Sequence, residues 1–326
     1  MNRKVIKSIL NKKLNDWTKS IKDPEVQKLC KKNSIVTGGC IASMLLNEEA
    51  KDYDVYFRDK ETAYRVAKYY VDEFNKAHVG TEATVVDGEK LWKGDQLNDR
   101  SLVEQFGVKT SAAKAITPDR VVIYIRSNGV AAEKEELLNS PFEDAVEAIN
   151  DADQVDEKML ETVGEKKDPY RPVFLSSNAI TLADKIQLVI RFYGEVEELH
   201  KNYDFVHCTN SFDYGKNELV LKSEALECLL NKQLKYVGSK YPLCSVIRTR
   251  KFIKRGFHID AGQFLKMLFQ VSQLDLTDIN VLEEQLIGVD SSFFVQLIQA
   301  LRSKQEADSS FKVEESYVAS IIDKIF

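Results

Sequence analysis

Between residues 3 and 30, apolar positions recur at helical spacing: "RKVIKSILNKKLNDW" interleaves them with lysines, and Asp23-Pro24 predicts a turn or a fresh helix start. A glycine pair, Gly38-Gly39, precedes the short apolar run "CIASMLL", which reads as a helix. The period then changes to two in "DYDVYF", so a strand there puts Asp52, Asp54 and Tyr56 on one face and Tyr53, Val55 and Phe57 on the other. Helical spacing returns in "DKETAYRVAKYYVDEFNKA", with Ala63, Val66, Tyr70 and Phe74 along one side. Residues 80–120 are polar and irregular, "DRVVIYIRS" has the β-branched content of a strand, and an acidic surface insertion is expected around 130–170.

From residue 173 the pattern predicts one strand in "VFLSSNAITL", a turn at "ADK" and a second strand in "IQLVIRFYG". A short helix over "EVEELHKN" follows, then strands in "YDFVHCTNSFD" and "ELVL". Beyond about residue 222 the apolar period is helical to the end of the sequence. The expected fold is α+β: a mixed β-sheet flanked by helices over 1–221, followed by an all-α domain over 222–326.

A chain of 326 residues is long enough for one large or two moderate domains. Its net charge of -5 argues against a surface coated in basic residues, although a local basic stripe could still meet an anion. The five cysteines, Cys30, Cys40, Cys208, Cys228 and Cys244, are odd in number and lack CxxC spacing, which fits reduced thiols in the cytoplasm rather than a disulfide framework. No run is long and apolar enough for a bilayer, and the N-terminal residues lack an export signal's unbroken apolar core.

Two carboxylates on one strand face suit a hard divalent cation such as Mg²⁺, and they suit a solvated sheet edge equally well. The glycine pair changes that balance, because backbone N–H groups at a helix start can approach an anion there. Further along, Arg248, Lys251 and Arg255 share one helix face at i, i+3 and i+7, with Arg250 and Lys254 beside it. Such a face can grip triphosphate or RNA backbone, or simply be solvated. Arg191, facing out from a strand, is a further cation of this kind. His207 and Cys208 lack partners at ligand spacing and read as strand packing.

Gly38, Gly39, Asp52 and Asp54 resemble, in order and spacing, the signature of the polymerase-β-like nucleotidyltransferase superfamily: Gly-Gly or Gly-Ser, a short helix, then Asp-x-Asp in a strand. More loosely, "GGCIASMLLNEEAKDYDV", "FLSSNAITL" and "YPLCSVIRTRKFIKRGFHID" are similar to the head and neck of the tRNA CCA-adding and poly(A) polymerase group. Ala42 and Ser43 depart from that group's Arg-Asp pair, and its acidic-acidic-x-x-Arg motif is missing. The resemblance implies a catalytic domain over 1–221 that uses two Mg²⁺ ions to move NMP from an NTP to an acceptor hydroxyl, with an RNA 3′ end as the favoured acceptor and a protein or small molecule as alternatives. It implies catalytic and metal-binding roles for Asp52, Asp54 and a third carboxylate, Asp204, with Asp119 as its rival. Gly38, Gly39, Ser43, Arg248, Lys251 and Arg255 would then bind the nucleotide. A catalytically inactive nucleotide sensor or protein scaffold on the same fold is the competing expectation.

Overall fold

The computed structural model describes residues 1–78, 83–93, 96–97, 116–125, 130–132, 168–286 and 301–305, with six single positions beyond residue 305. The expected acidic insertion falls almost wholly outside the described residues. Two helices open the chain, α1 (Arg3–Ser20) and α2 (Pro24–Asn33), and the break lies at the predicted Asp-Pro: Asp23 caps α2 by accepting from the N–H groups of Glu25 and Val26, with Pro24 at the first helical position. Strand β1 (Ser34–Thr37), helix α3 (Gly39–Leu45), strand β2 (Tyr53–Phe57) and helix α4 (Lys60–Ala77) follow.

Part of the expected irregular stretch is ordered: β3 (Ala83–Asp87) pairs antiparallel with β6 (Val121–Ile125), and a helical turn α5 (Gly88–Leu91) and a small ladder of β4 (Trp92–Lys93) with β5 (Gln96–Leu97) lie between them. The strand that β3 pairs with lies more than thirty residues on, so no local period announced it.

An eight-stranded sheet organises the described residues. It contains β7 (Val130–Ala132), β8 (Pro172–Ser176), β9 (Ala179–Leu182), β10 (Ile186–Tyr193), β11 (Ser211–Asp213) and β12 (Glu218–Val220), in the order β12-β11-β1-β2-β10-β9-β8-β7. Only β2 and β10 run parallel; the other pairs are antiparallel. The sheet is therefore mixed, as expected.

"VFLSSNAITL" is two strands rather than one. The Ser176 hydroxyl accepts from Ala179 N at 3.1 Å and turns the chain between β8 and β9. Nor is "YDFVHCTNSFD" one strand, since Val206–Cys208 form a 3₁₀ turn and only Ser211–Asp213 join the sheet. His207 is drawn inward there against Phe252 and Phe257, and that aromatic contact overrides the strand pattern.

The face of the sheet bearing Val36, Val55, Phe57, Ile186, Leu188, Ile190 and Phe212 packs against Leu10, Leu14 and Trp17 of α1 and Val66, Tyr70 and Phe74 of α4. Each such side chain contributes roughly 1.5–3 kcal/mol on leaving water. Within this core Trp17 Nε1 donates to the Tyr70 hydroxyl at 2.8 Å. The opposite face carries a smaller cluster, Ile35, Tyr56, Val189 and Leu199, beside the helix α6 (Val196–His200).

C-terminal helices complete the described structure: α7 (Ser223–Leu230), α8 (Pro242–Lys254), α9 (Ala261–Val271) and α10 (Ile279–Leu286). A cluster of Ala42, Phe205, Leu229, Leu234, Tyr236, Phe257 and Met267, with Val246 and Phe252 packed against it, joins α7, α8 and α9 to α3. No helix among the described residues is long and apolar enough to cross a membrane.

Candidate active site

Gly38 links β1 to α3 at φ +108° and ψ -150°, a conformation essentially restricted to glycine. A Cβ there would stand 3.1 Å from Asp54 Oδ2 and 3.4 Å from the Tyr203 hydroxyl. The aspartate thus lies directly against the glycine turn, although fifteen positions separate them in sequence. Gly39 differs, because a Cβ on it would meet nothing within 4 Å. Open space therefore lies over the first turn of α3, the end from which backbone N–H groups attract an anion.

Asp54 belongs to a polar row that crosses the sheet. The strand registers place Gln187 beside Asp54 and Thr181 beside Gln187; extending the β1–β2 register by one position brings Thr37 opposite Asp54, and Ser211 lies beyond Thr37. Asp52 precedes β2 by one residue and is half-buried, as is Asp54. Their proximity to Cys40 is electrostatic as well as spatial: burial first, then the charges of Asp54 and Asp52, drive the Cys40 thiol far above its ordinary range. All five cysteines are buried thiols outside any disulfide.

The site's wall contains three residues that the sequence pattern did not single out, His200, Lys222 and Tyr203. His200 Nε2 lies 2.9 Å from the Thr37 hydroxyl, which itself donates to the Asn210 carbonyl at 2.8 Å. Lys222 Nζ lies 2.9 Å from His200 Nδ1, so the ring accepts from the lysine and donates to Thr37, the neutral tautomer. Burial first and Lys222 second lower its pKa to about 4. This chain of bonds fixes the end of β1 next to Gly38. Tyr203, a buried phenol raised well above its usual pKa by burial and by nearby Tyr56 and Asp54, packs against the same glycine.

The expected third carboxylate is not gathered with the other two. Asp204 lies before the 3₁₀ turn rather than in a strand, where its Oδ2 accepts from Arg248 Nη1 at 2.7 Å and Ser245 Oγ at 3.1 Å. The rival Asp119 is held below the usual carboxylate range chiefly by a hydrogen bond with Thr117, and its backbone carbonyl accepts from Tyr193. Among the described residues no three His, Cys, Asp or Glu side chains converge as a metal cluster.

On the strand parallel to β2 the residue beside Asp54 is Gln187, 1% exposed, with an Oε1 that has no hydrogen-bond partner. A buried acceptor without a donor is costly, about 1–3 kcal/mol. Two carboxylates and this neutral oxygen fit a hard cation that prefers oxygen ligands. The signal available in the sequence was a lone glutamine inside the otherwise apolar "IQLVI".

The cationic face of α8 is largely engaged with the protein itself. Arg248 holds Asp204, and Arg255 donates to Ser43 Oγ at 3.1 Å and pairs with Glu48. Ser43 and Arg255 do meet, therefore, but within a contact that ties α3 to α8. Lys251 is half-buried on the same helix. His207 packs among Phe205, Phe252 and Phe257, in line with the packing role expected of it.

A model of the Gabija anti-defense 2 protein family matches residues 8–232. Gabija anti-defense 2 of Bacillus phage SPbetaL7 is 22% identical over 143 residues, which cover 43% of this chain and 33% of that protein. Among solved structures, a tRNA-processing enzyme with CTP aligns with a TM-score of 0.35 and 13% identity, covering 90% of this chain and 60% of the other. The Thermotoga maritima CCA-adding enzyme complexed with tRNA aligns at 0.35 and 11% identity, covering 93% and 57%. The chain thus spans about a third of the curated relative and under two thirds of these solved chains.

Proposed function

The chain belongs to the Gabija anti-defense 2 family, and we propose that it serves that role as a nucleotidyltransferase, moving NMP from an NTP to a hydroxyl acceptor with release of pyrophosphate. The observation that carries the reading is the contact between Gly38 and Asp54 beneath the open start of α3. A glycine turn, a helix N-terminus and an aspartate then share one small volume, which is what binding a metal-bound triphosphate requires.

Asp52 and Asp54, with Gln187 Oε1 beside them, would hold Mg²⁺, which when bound supplies Lewis acidity at the transferred phosphoryl group. The backbone at Gly38 and Gly39 receives the triphosphate, because side chains there would either strike Asp54 or fill the open volume. The bonds from Lys222 through His200 and Thr37 to Asn210 keep the turn in place during binding. Family membership favours a component of the Gabija defence as acceptor over the RNA 3′ end expected from sequence resemblance.

The test follows radiolabel from each α-labelled NTP, with Mg²⁺, into purified Gabija components and into bulk RNA. Transfer to a Gabija protein that disappears in the Asp52→Ala/Asp54→Ala double variant supports the reading. Undiminished transfer in that variant overturns the mechanism, and label entering RNA alone overturns the choice of acceptor. A second reading, a nucleotide-binding scaffold without transfer, is favoured by the absence of a third carboxylate beside Asp54 among the described residues. It predicts NTP binding and Gabija inhibition that both persist without any label transfer.

A further inference from the structure

We propose that Arg191, Lys240 and Tyr241, where β10 meets the start of α8, form a binding site for a phosphate or phosphomonoester dianion, separate from the Asp52–Asp54 centre. Arg191 is 8% exposed. Its Nε and Nη2 donate to the Tyr241 hydroxyl at 3.1 and 2.8 Å, while its Nη1 is buried without a hydrogen-bond partner. A guanidinium taken out of water with an unmatched donor is costly unless an anion completes it. Among the described residues no carboxylate forms an ion pair with either Arg191 or Lys240.

Lys240 supplies a second positive charge. Partial burial, and next the neighbouring Arg191, lower its pKa although the residue is exposed. Asp119 and Glu284 are close enough to be felt electrostatically by this group, yet neither reaches ion-pair distance. The Tyr241 hydroxyl already accepts two bonds from Arg191, so its own proton is available to a third group. Tyr241 is also the cap residue of α8, thirteen residues long, and offers the helix end that favours negative charge.

The chemistry of these donors selects phosphate. The Nε–Nη2 edge of Arg191, which would grip a planar carboxylate side-on, is committed to Tyr241. What remains is one guanidinium nitrogen, one ammonium and one hydroxyl from three side chains, a set that suits separate oxygens of a tetrahedral dianion. Arg191 follows Gln187 by four residues on the same strand, within the register irregularity between Leu188 and Tyr193, so the double aspartate variant is what separates this site from the Asp52–Asp54 centre.

Calorimetric titration of the full chain with inorganic phosphate and with AMP, without divalent metal and at constant ionic strength, tests the assignment. Saturable binding is expected, weakened about ten-fold or more by Lys240→Ala and by Arg191→Met. The Asp52→Asn/Asp54→Asn variant should bind phosphate as the native chain does, so loss of nucleotidyl transfer and loss of this site are distinguishable. Lys240 is exposed, so its variant should fold even if Arg191→Met does not. Phosphate should raise Tm in the native chain and not in Lys240→Ala. Tighter binding of AMP identifies a nucleotide as ligand, and equal binding identifies the phosphate group alone; both support the site. Lack of saturation, unchanged affinity in Lys240→Ala, loss of binding in the double aspartate variant, or saturation by a glutamate-rich peptide but not by phosphate would each overturn it.

Discussion

Adjacent glycines with opposite surroundings allow a sharp test of the turn that carries the candidate site. Alanine at Gly38 must adopt φ +108° and ψ -150°, a strain of about 1–3 kcal/mol for a residue with a Cβ. Its methyl also arrives 3.1 Å from Asp54 Oδ2, so the carboxylate has to withdraw by a few tenths of an ångström. Alanine at Gly39 meets nothing within 4 Å and enters the first turn of a helix, where it is neutral or favourable by up to about 1 kcal/mol. The two variants should therefore differ by roughly 1–4 kcal/mol although they change neighbouring atoms by the same methyl. In thermal unfolding Gly38→Ala should melt about 1.5–4.5 °C below the native chain, and Gly39→Ala at or above it. Nucleotide binding should separate from stability: Gly39→Ala, the stable variant, should still bind NTP more weakly, because its methyl occupies the space over the helix start. Equal stability of the two variants, or a larger loss at Gly39, would refute the strained turn.

Further outcomes follow from other contacts. His207, 1% exposed, has its pKa lowered to about 4, chiefly by burial, from an ordinary 6.5, which is worth roughly 3 kcal/mol. The unfolded chain takes up the proton first, so this stabilisation is whole above pH 6.5 and is lost as pH falls through 4; denaturant titrations should show a flatter acid slope for His207→Phe, and an unchanged slope would count against the argument. Arg248→Met leaves the buried Asp204 carboxylate without its 2.7 Å partner and should cost about 3 kcal/mol in urea unfolding, most of it recovered by adding Asp204→Asn. Gln187→Glu converts the neutral oxygen beside Asp54 into a third carboxylate and should tighten Mn²⁺ binding, followed by electron paramagnetic resonance, about ten-fold or more; an unchanged affinity would remove Gln187 from the metal site.

Local sequence determined much of this protein. The periods of α1, α2, α4 and β2 are short-range properties of the chain, and the helix break at Asp23-Pro24 follows from a cap and a ring that act within one turn. The association of Gly38 with Asp54 was legible for the same reason, since one short helix separates their strands. Tertiary structure alone decided what lies beside that pair. Asp204 carried the right chemistry on a stretch with strand-like composition, but the inward turn of His207 bends that stretch into a 3₁₀ segment and hands the carboxylate to Arg248. The parallel alignment of β10 with β2 instead brings Gln187 beside Asp54, and no local period encodes the pairing of strands more than a hundred residues apart. The basic face of α8 was likewise plain in the sequence, whereas its use depended on which acids other elements brought to it. Helical and strand periods are fixed by neighbours along the chain; partners of a charge or a strand are fixed by packing, which is where the sequence pattern ceased to decide.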